Sequence, residues 1–451
     1  MSIPVEQKWQ LEISNRQILS IALPIAAATL VPQINFVVNN IFLGGLGELP
    51  LAVAGITGVY YLIFAVIGHG LNNGLQALMS RRAGENRPQE IGNLFAQGSL
   101  LAVALALAFI AFNYLLTPTL LRLTLTHEET YNLAVDFLLI RIWGLPFLYL
   151  FQMRNALLVA TNRSKYLIVG TVLETIANIF LDYGLIYGKF GLPQLGFNGA
   201  AIASVIAEFT GLITVSYILK YKGILLSINY SMQFRFVWKH IYLIFTQSAP
   251  LMLQYGISIV TWQYFYILIE HRGTLDLAVS NTMRNVLGIL GSFSWAFAAT
   301  SNTMVGNIIG QNRKTEVLPL VWKIVKLSLV FAVPLSILIN LFPHAFMAMF
   351  QQDEAFTIYA TPVLRVISLA LILQSVGTAW LNSIVGTGNA KVNVIIEVIT
   401  IVLYIIYVTL ALQVLHLPLI WAWASELLYW AVTLVLAYWY MRSRRWEKTV
   451  I

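Results

Sequence analysis

The sequence predicts an all-α polytopic membrane protein, with twelve transmembrane helices in two six-helix lobes related by a parallel repeat. Three observations predict it. Of the 451 residues, 59% are hydrophobic and 10% charged, with a mean hydropathy of +0.76, whereas soluble domains carry about 25% charged residues. The apolar residues gather into runs of about 20 or more, the length that crosses a hydrocarbon core of about 30 Å. The pattern of the first half also returns in the second at one fixed offset. This composition excludes a water-soluble enzyme, a nucleic-acid binder and a disordered scaffold. With no cysteine, the chain is expected to hold neither disulfides nor a thiolate zinc site. The first apolar run is a full-length span, expected to be retained rather than cleaved as a signal peptide.

The spans follow in order, bounded by charge and turn residues. The first, 17–44, runs from Arg16 to the turn Gly44-Gly45-Leu46-Gly47, and the second, 51–79, stops at Arg81 and Arg82. Span three, 94–121, begins after Arg87 and ends before Arg122. Span four, 132–160, is closed by Arg163 and Lys165, and span five, 166–188, by Lys189 and Phe190-Gly191-Leu192-Pro193. Span six, 197–220, ends at Lys220 and Lys222. After the longest polar connector, 221–240, come 241–270, 277–306, 323–349, 357–385, 392–415 and 418–441. Alternating hydrophobicity in ten-residue units is absent, which argues against an outer-membrane barrel. The expected organisation is an N-terminal segment (1–16), an amino lobe (17–220), a linker (221–240), a carboxy lobe (241–441) and a basic tail (442–451).

Charge placement sets the orientation. With both termini cytoplasmic, the inner ends hold 20 of the 27 basic residues, from Lys8 and Arg16 to Arg442, Arg444, Arg445 and Lys448. The outer loops hold Arg122, Lys189 and Arg272. The positive-inside rule therefore favours cytoplasmic termini in an inner (plasma) membrane. The net charge of +8 is explained by topology, without a nucleic-acid partner.

Adding 226 carries one half onto the other. Leu23-Pro24 becomes Ala249-Pro250, Gly47 becomes Gly273, and Leu51-Ala52-Val53 becomes Leu277-Ala278-Val279. Gly84-Glu85-Asn86-Arg87 with Glu90 becomes Gly310-Gln311-Asn312-Arg313 with Glu316, and Thr161 and Lys165 become Thr387 and Lys391. Six spans is an even number, so both copies enter from the same side. Parallel repeats of this kind place a substrate site near the midplane of a secondary transporter. The phosphate-loop pattern of an ATP motor is not found in the sequence.

The run Ala22-Leu23-Pro24 through Asn39 to Gly47, the block Arg82-Ala83-Gly84-Glu85-Asn86, and the segment from Asn178 through Asp182 to Gly199-Ala200-Ala201-Ile202-Ala203 resemble the multidrug and toxic compound extrusion (MATE) family. The resemblance covers essentially the whole chain and is better in the amino half. It implies a V-shaped, two-lobe transporter that exports amphipathic organic cations and other drugs against entry of protons or sodium ions, closer to the branch coupled through amino-lobe carboxylates. Many members carry an aspartate in the first span, fifteen residues after the proline; Asn39 stands there. The seventh-span glutamate and tenth-span aspartate of one sodium-coupled branch are missing too. The seventh span offers Gln254, Ser258, Thr261 and Gln263 instead.

An acid inside a span costs about 2.5–3.5 kcal/mol on insertion scales and needs a reason. Glu174, Asn178 and Asp182 fall at i, i+4 and i+8, on one helical stripe. Such a stripe binds a proton, since a carboxyl group takes one more readily out of water or beside a second carboxyl. Sodium could use the same oxygens at Asp182 and Asn178. The alternative is a static interhelix network. Asn39, with Asn35 one turn before it, would add amide oxygens to this cation-coupling set, against a competing role as helix–helix glue. Glu426, Trp262, Gln254, Asn35 and His69 are the substrate-cavity candidates. The carboxylate and the aromatic ring suit a planar cation, and His69, between Gly68 and Gly70, suits a proton relay. Glu397 is expected to reach the headgroups, Arg141 and Arg365 to snorkel, and Arg284 to pair with a buried acid.

The expected function is secondary active efflux of amphipathic or cationic small molecules, with no cofactor beyond a proton or sodium gradient, no resident metal, and membrane lipids around a monomer. A lipid-linked precursor flippase would call for further spans and a strongly cationic cavity. A membrane-embedded enzyme would call for a clustered acid, base or nucleophile near one face. The sequence offers neither.

Overall fold

A bilayer leaves no water for backbone N–H and C=O groups, so a spanning chain satisfies them within helices or a closed barrel. The computed structural model describes residues 9–231, 235–348 and 354–449, and among them every spanning element is helical and no strand occurs. Lys8, residues 232–234 of the linker, the end of the ninth span at 349 and residues 450–451 of the tail lie outside the described residues.

The amino half contains α1 (Asn15–Gly44), α2 (Glu48–Gly84), α3 (Pro88–Thr124), α4 (Glu128–Ala160), α5 (Ser164–Tyr187) and α6 (Gly196–Tyr221). The carboxy half contains α7 (Trp238–Glu270), α8 (Thr274–Gly310), α9 (Lys314–Leu341), α10 (Glu354–Gly386), α11 (Ala390–Val414) and α12 (Leu419–Arg442). Eleven of these are long and apolar enough to cross a membrane, and α8 is not among the eleven. It has ample length at 37 residues. Its second half, however, carries Ser292, Ser294, Thr300, Ser301, Asn302, Thr303 and Asn307, all buried. The eighth expected span is thus a helix whose polar side chains are covered by protein rather than facing lipid.

The repeat is written into the backbone as well as the sequence. Asn86 and Asn312 both take left-handed conformations, at φ 61° and 62°, in turns that close α2 and α8. Asn162 and Gly388, also 226 apart, do the same after α4 and α10. Asparagine is among the few residues with a side chain that tolerate this region. Gly47 and Gly273, before α2 and α8, have φ of 113° and 129°, values that favour glycine.

The chain forms two compact units: an amino unit of Ala27–Met79 and Arg87–Met252, and a carboxy unit of the described parts of Met1–Ala26, Ser80–Asn86 and Leu253–Ile451. In the amino unit, α4 is broken by a 3-10 turn at Ile142–Gly144, ahead of Pro146. The buried Tyr149 hydroxyl donates to the Phe64 carbonyl at 2.6 Å. The carboxy unit closes over an apolar core that includes Phe265, Met283, Leu364, Tyr404 and Trp423. In the same unit Asn307 gathers the N-terminal segment: its Oδ1 accepts from the Leu11 amide at 2.9 Å, and its Nδ2 donates to the Trp9 carbonyl at 3.0 Å.

Candidate functional site

Polar side chains gather inside the spans of both units. In the amino unit, α1 and α5 are held together by the Tyr187 hydroxyl, which donates to the Phe42 carbonyl at 2.6 Å. This fixes Asn35 and Asn39 of α1 against α5. Asn178 Oδ1 accepts from Asn35 Nδ2 at 2.6 Å and from Asn39 Nδ2 at 3.4 Å. One turn further along α5, Asp182 is 0% exposed, and neither of its carboxylate oxygens has a hydrogen-bond partner among the described residues. The structure therefore brings Asn35, Asn39 and Asn178 into contact and puts Asp182 beside them. Glu174 is only half-buried and packs against Gly211 of α6. It sits within electrostatic reach of Glu208 and Arg141, at the other end of the stripe.

Arg141 corrects the expectation of a side chain reaching the interface. Its guanidinium forms two bonds to Glu208, Nη1 to Oε2 at 3.0 Å and Nη2 to Oε1 at 2.5 Å. The Tyr61 hydroxyl donates to Glu208 Oε1 at 3.3 Å, and the guanidinium lies 3.8 Å from the centre of the Tyr61 ring. Glu208 is 6% exposed. Gly144, in the 3-10 turn of α4, leaves room for the pair, because a side chain there would collide with both partners. Sequence reading missed the pair. The usable signal was one base and one acid in apolar runs of the same half, since burial of both requires pairing. Arg141 also acts electrostatically on Asp182. Arg365 is exposed.

In the carboxy unit Glu397 is 2% exposed, so it does not reach the headgroups. The reason is a set of donors around it. Ser258 Oγ donates to Glu397 Oε1 at 2.8 Å, and the Tyr429 hydroxyl donates to the same oxygen. Gln254 of α7 accepts from Asn393 Nδ2, and so belongs to this group. Glu426, also buried, accepts from Trp430 Nε1 at 3.1 Å and interacts with Trp262. The half-buried Trp262 packs edge-on against Tyr266, with ring centres 5.6 Å apart. Arg284 lies over the Tyr266 ring at 5.4 Å. His69 is exposed, while its flanking glycines are packing positions: Gly68 meets Tyr149 and Gln152, and Gly70 meets Met252.

Two copies of a six-helix unit, each burying carboxylates in its spans, define the chain as a polytopic membrane protein of secondary-transporter architecture. The chain belongs to the MatE family, whose model matches residues 24–184 and again 250–410. Both boundaries are displaced by the same 226 residues, the offset of the internal repeat. The chain is 22% identical to the probable multidrug resistance protein NorM of Synechocystis sp., over 77% of this chain and 75% of that one. It is 21% identical to the protein of the same name from Thermotoga maritima, over 97% and 94%. The multidrug resistance protein MdtK of Cronobacter sakazakii is 24% identical, over 69% and 68%. Among solved structures, the outward-facing conformation of a multidrug resistance MATE family transporter of the MOP superfamily superposes with a TM-score of 0.90. The identity is 17%, with full coverage of both chains. A MOP superfamily transporter from Pyrococcus furiosus gives 0.87 at 17% identity, again over both whole chains. As a member of the MatE family, this chain is a transporter and not an enzyme.

Proposed function

We propose that this protein exports amphipathic or cationic small molecules across the inner membrane by antiport with protons, with both termini in the cytoplasm and one chain as the working unit. Asp182 carries the reading: a carboxylate wholly buried in a span, with both oxygens free of hydrogen bonds among the described residues, one turn from the Asn178 cluster. An ionised carboxylate in that setting is costly; a proton relieves the cost, and exchanging that proton couples the site to a gradient. The names of the relatives supply the substrate class. The amino-unit route is favoured because Asp182 is an in-span carboxylate that the family resemblance covers, whereas the first-, seventh- and tenth-span acids are missing. A pH-jump dye-efflux assay in everted vesicles tests it. Asp182→Asn should abolish efflux while inserted, folded protein remains at normal level. Near-normal efflux by that variant would sink the assignment.

A further inference from the structure

The amino-unit arrangement has a counterpart in the carboxy unit at an unexpected level. α5 and α11 are equivalent helices of the repeat, and each carries an amide followed four residues later by an acid: Asn178 and Asp182, Asn393 and Glu397. Each faces a polar i, i+4 pair on an equivalent helix, Asn35 and Asn39 of α1, Gln254 and Ser258 of α7. The sequence separations repeat as well. Asn39 to Asn178, Gln254 to Asn393 and Ser258 to Glu397 are all 139 residues apart.

The two acids are nevertheless 215 residues apart in sequence rather than 226. The missing eleven residues are three helical turns, so the pair has moved about 16 Å along its helix while keeping its face to within about 20°. At the strict equivalents of Asn178 and Asp182 stand Tyr404 and Val408, inside the apolar core. Asp182 lies in the half of α5 far from Lys165, and Glu397 in the half of α11 next to Lys391.

We propose that Glu397, with Asn393, Ser258, Gln254 and Tyr429, forms a second proton-binding site in the carboxy unit, distinct from the one at Asp182. The hydrogen bonds are lopsided in a way that fits two protonation states. Glu397 Oε1 takes donors from Ser258 and Tyr429, and Gln254 also acts on this carboxylate. Glu397 Oε2 and Asn393 Oδ1 are both buried acceptors without a partner among the described residues, one turn apart on one face. A proton on Oε2 converts it into a donor that Asn393 Oδ1 can accept, and so satisfies both groups. One added proton therefore satisfies two buried acceptors at once, the state in which buried polar atoms are normally found. Of the helices packed against α11, α7 presents the neutral Gln254 and Ser258, α12 presents the titratable Tyr429, and α10 supplies no group that acts on Glu397. Glu426 of α12 acts on Tyr429 and Tyr404.

Infrared difference spectroscopy of the purified full-length protein in an ester-free detergent, titrated from alkaline to acid pH, tests this directly. One component of the carboxylic C=O band should rise on acidification, be lost in Glu397→Gln and persist in Asp182→Asn, whose own component is the one missing there. Ser258→Ala and Tyr429→Phe should keep the band and move it to higher frequency, since Oε1 loses a donor. An identical titration in wild type and Glu397→Gln overturns the proposal. So does an unmoved band in both donor variants, a result that does not depend on Glu397→Gln folding. Because the readout is not transport, failure here is separable from failure of the antiport reading.

Discussion

Arg141 and Glu208 are each untenable in an apolar run without the other. Breaking a buried ion pair leaves an uncompensated charge and costs about 3–5 kcal/mol, whereas replacing both partners with apolar side chains is often neutral or better. Arg141→Leu and Glu208→Leu should therefore each lower the thermal unfolding midpoint in detergent sharply, and the double variant should recover most of the loss. Additive losses in the double variant would show that packing at Tyr61 and Gly144, and not charge pairing, dominates there. Asp182 is the opposite case. Its oxygens have no bonds to lose among the described residues, so Asp182→Asn removes a charge without orphaning a partner, and its unfolding midpoint should equal or exceed that of wild type. The same contrast separates the two roles: paired charge holds the unit together, unpaired charge is available for exchange.

At the scale of helices, the ends of α2 and α8 pack through their glycines. A side chain on Gly84 would run into the backbone of Asn307, and one on Gly310 into the backbone of Arg81. Arg81 and Asn307 are themselves 226 residues apart, so each helix end presents its glycine to the equivalent position of the other. Backbone cannot yield as a flexible side chain does. Gly84→Ala should cost about 1–3 kcal/mol, read as a fall in the unfolding midpoint and in the monodisperse fraction by size exclusion. An unchanged midpoint would mean that the helices separate at this point at no cost. Sequence reading placed the helices because length, charge and turn residues mark where a span ends. It also placed Asn178 with Asp182, since residues four apart share a face. It did not find Arg141 with Glu208, or Asn393 with Gln254. A span's sequence gives the depth of a side chain, while its partner lies on a helix tens of residues away, chosen by packing. The span expected at 277–306 is α8, whose polar half is covered by protein.

For the whole molecule, the question is which ion does the coupling, and Asn39 bears on it most directly. Its Nδ2 lies 3.4 Å from Asn178 Oδ1, where many relatives are expected to carry a carboxylate. With an amide there, the amino-unit site has one negative charge, on Asp182, and sodium gains less from it than from two. Even at a separation of ~12 Å and an effective dielectric of about 20, a second unit charge contributes about 1.4 kcal/mol, tenfold in affinity. Asn39→Asp should therefore strengthen sodium binding by about tenfold or more. Efflux from proteoliposomes under separately imposed proton and sodium gradients measures the consequence. Wild type should respond to the proton gradient, and Asn39→Asp should acquire or enlarge a sodium-driven component. Wild-type efflux driven by sodium alone, indifferent to the pH gradient, would overturn the assignment of protons. It would leave the proton site at Glu397 to stand or fall on its own infrared band.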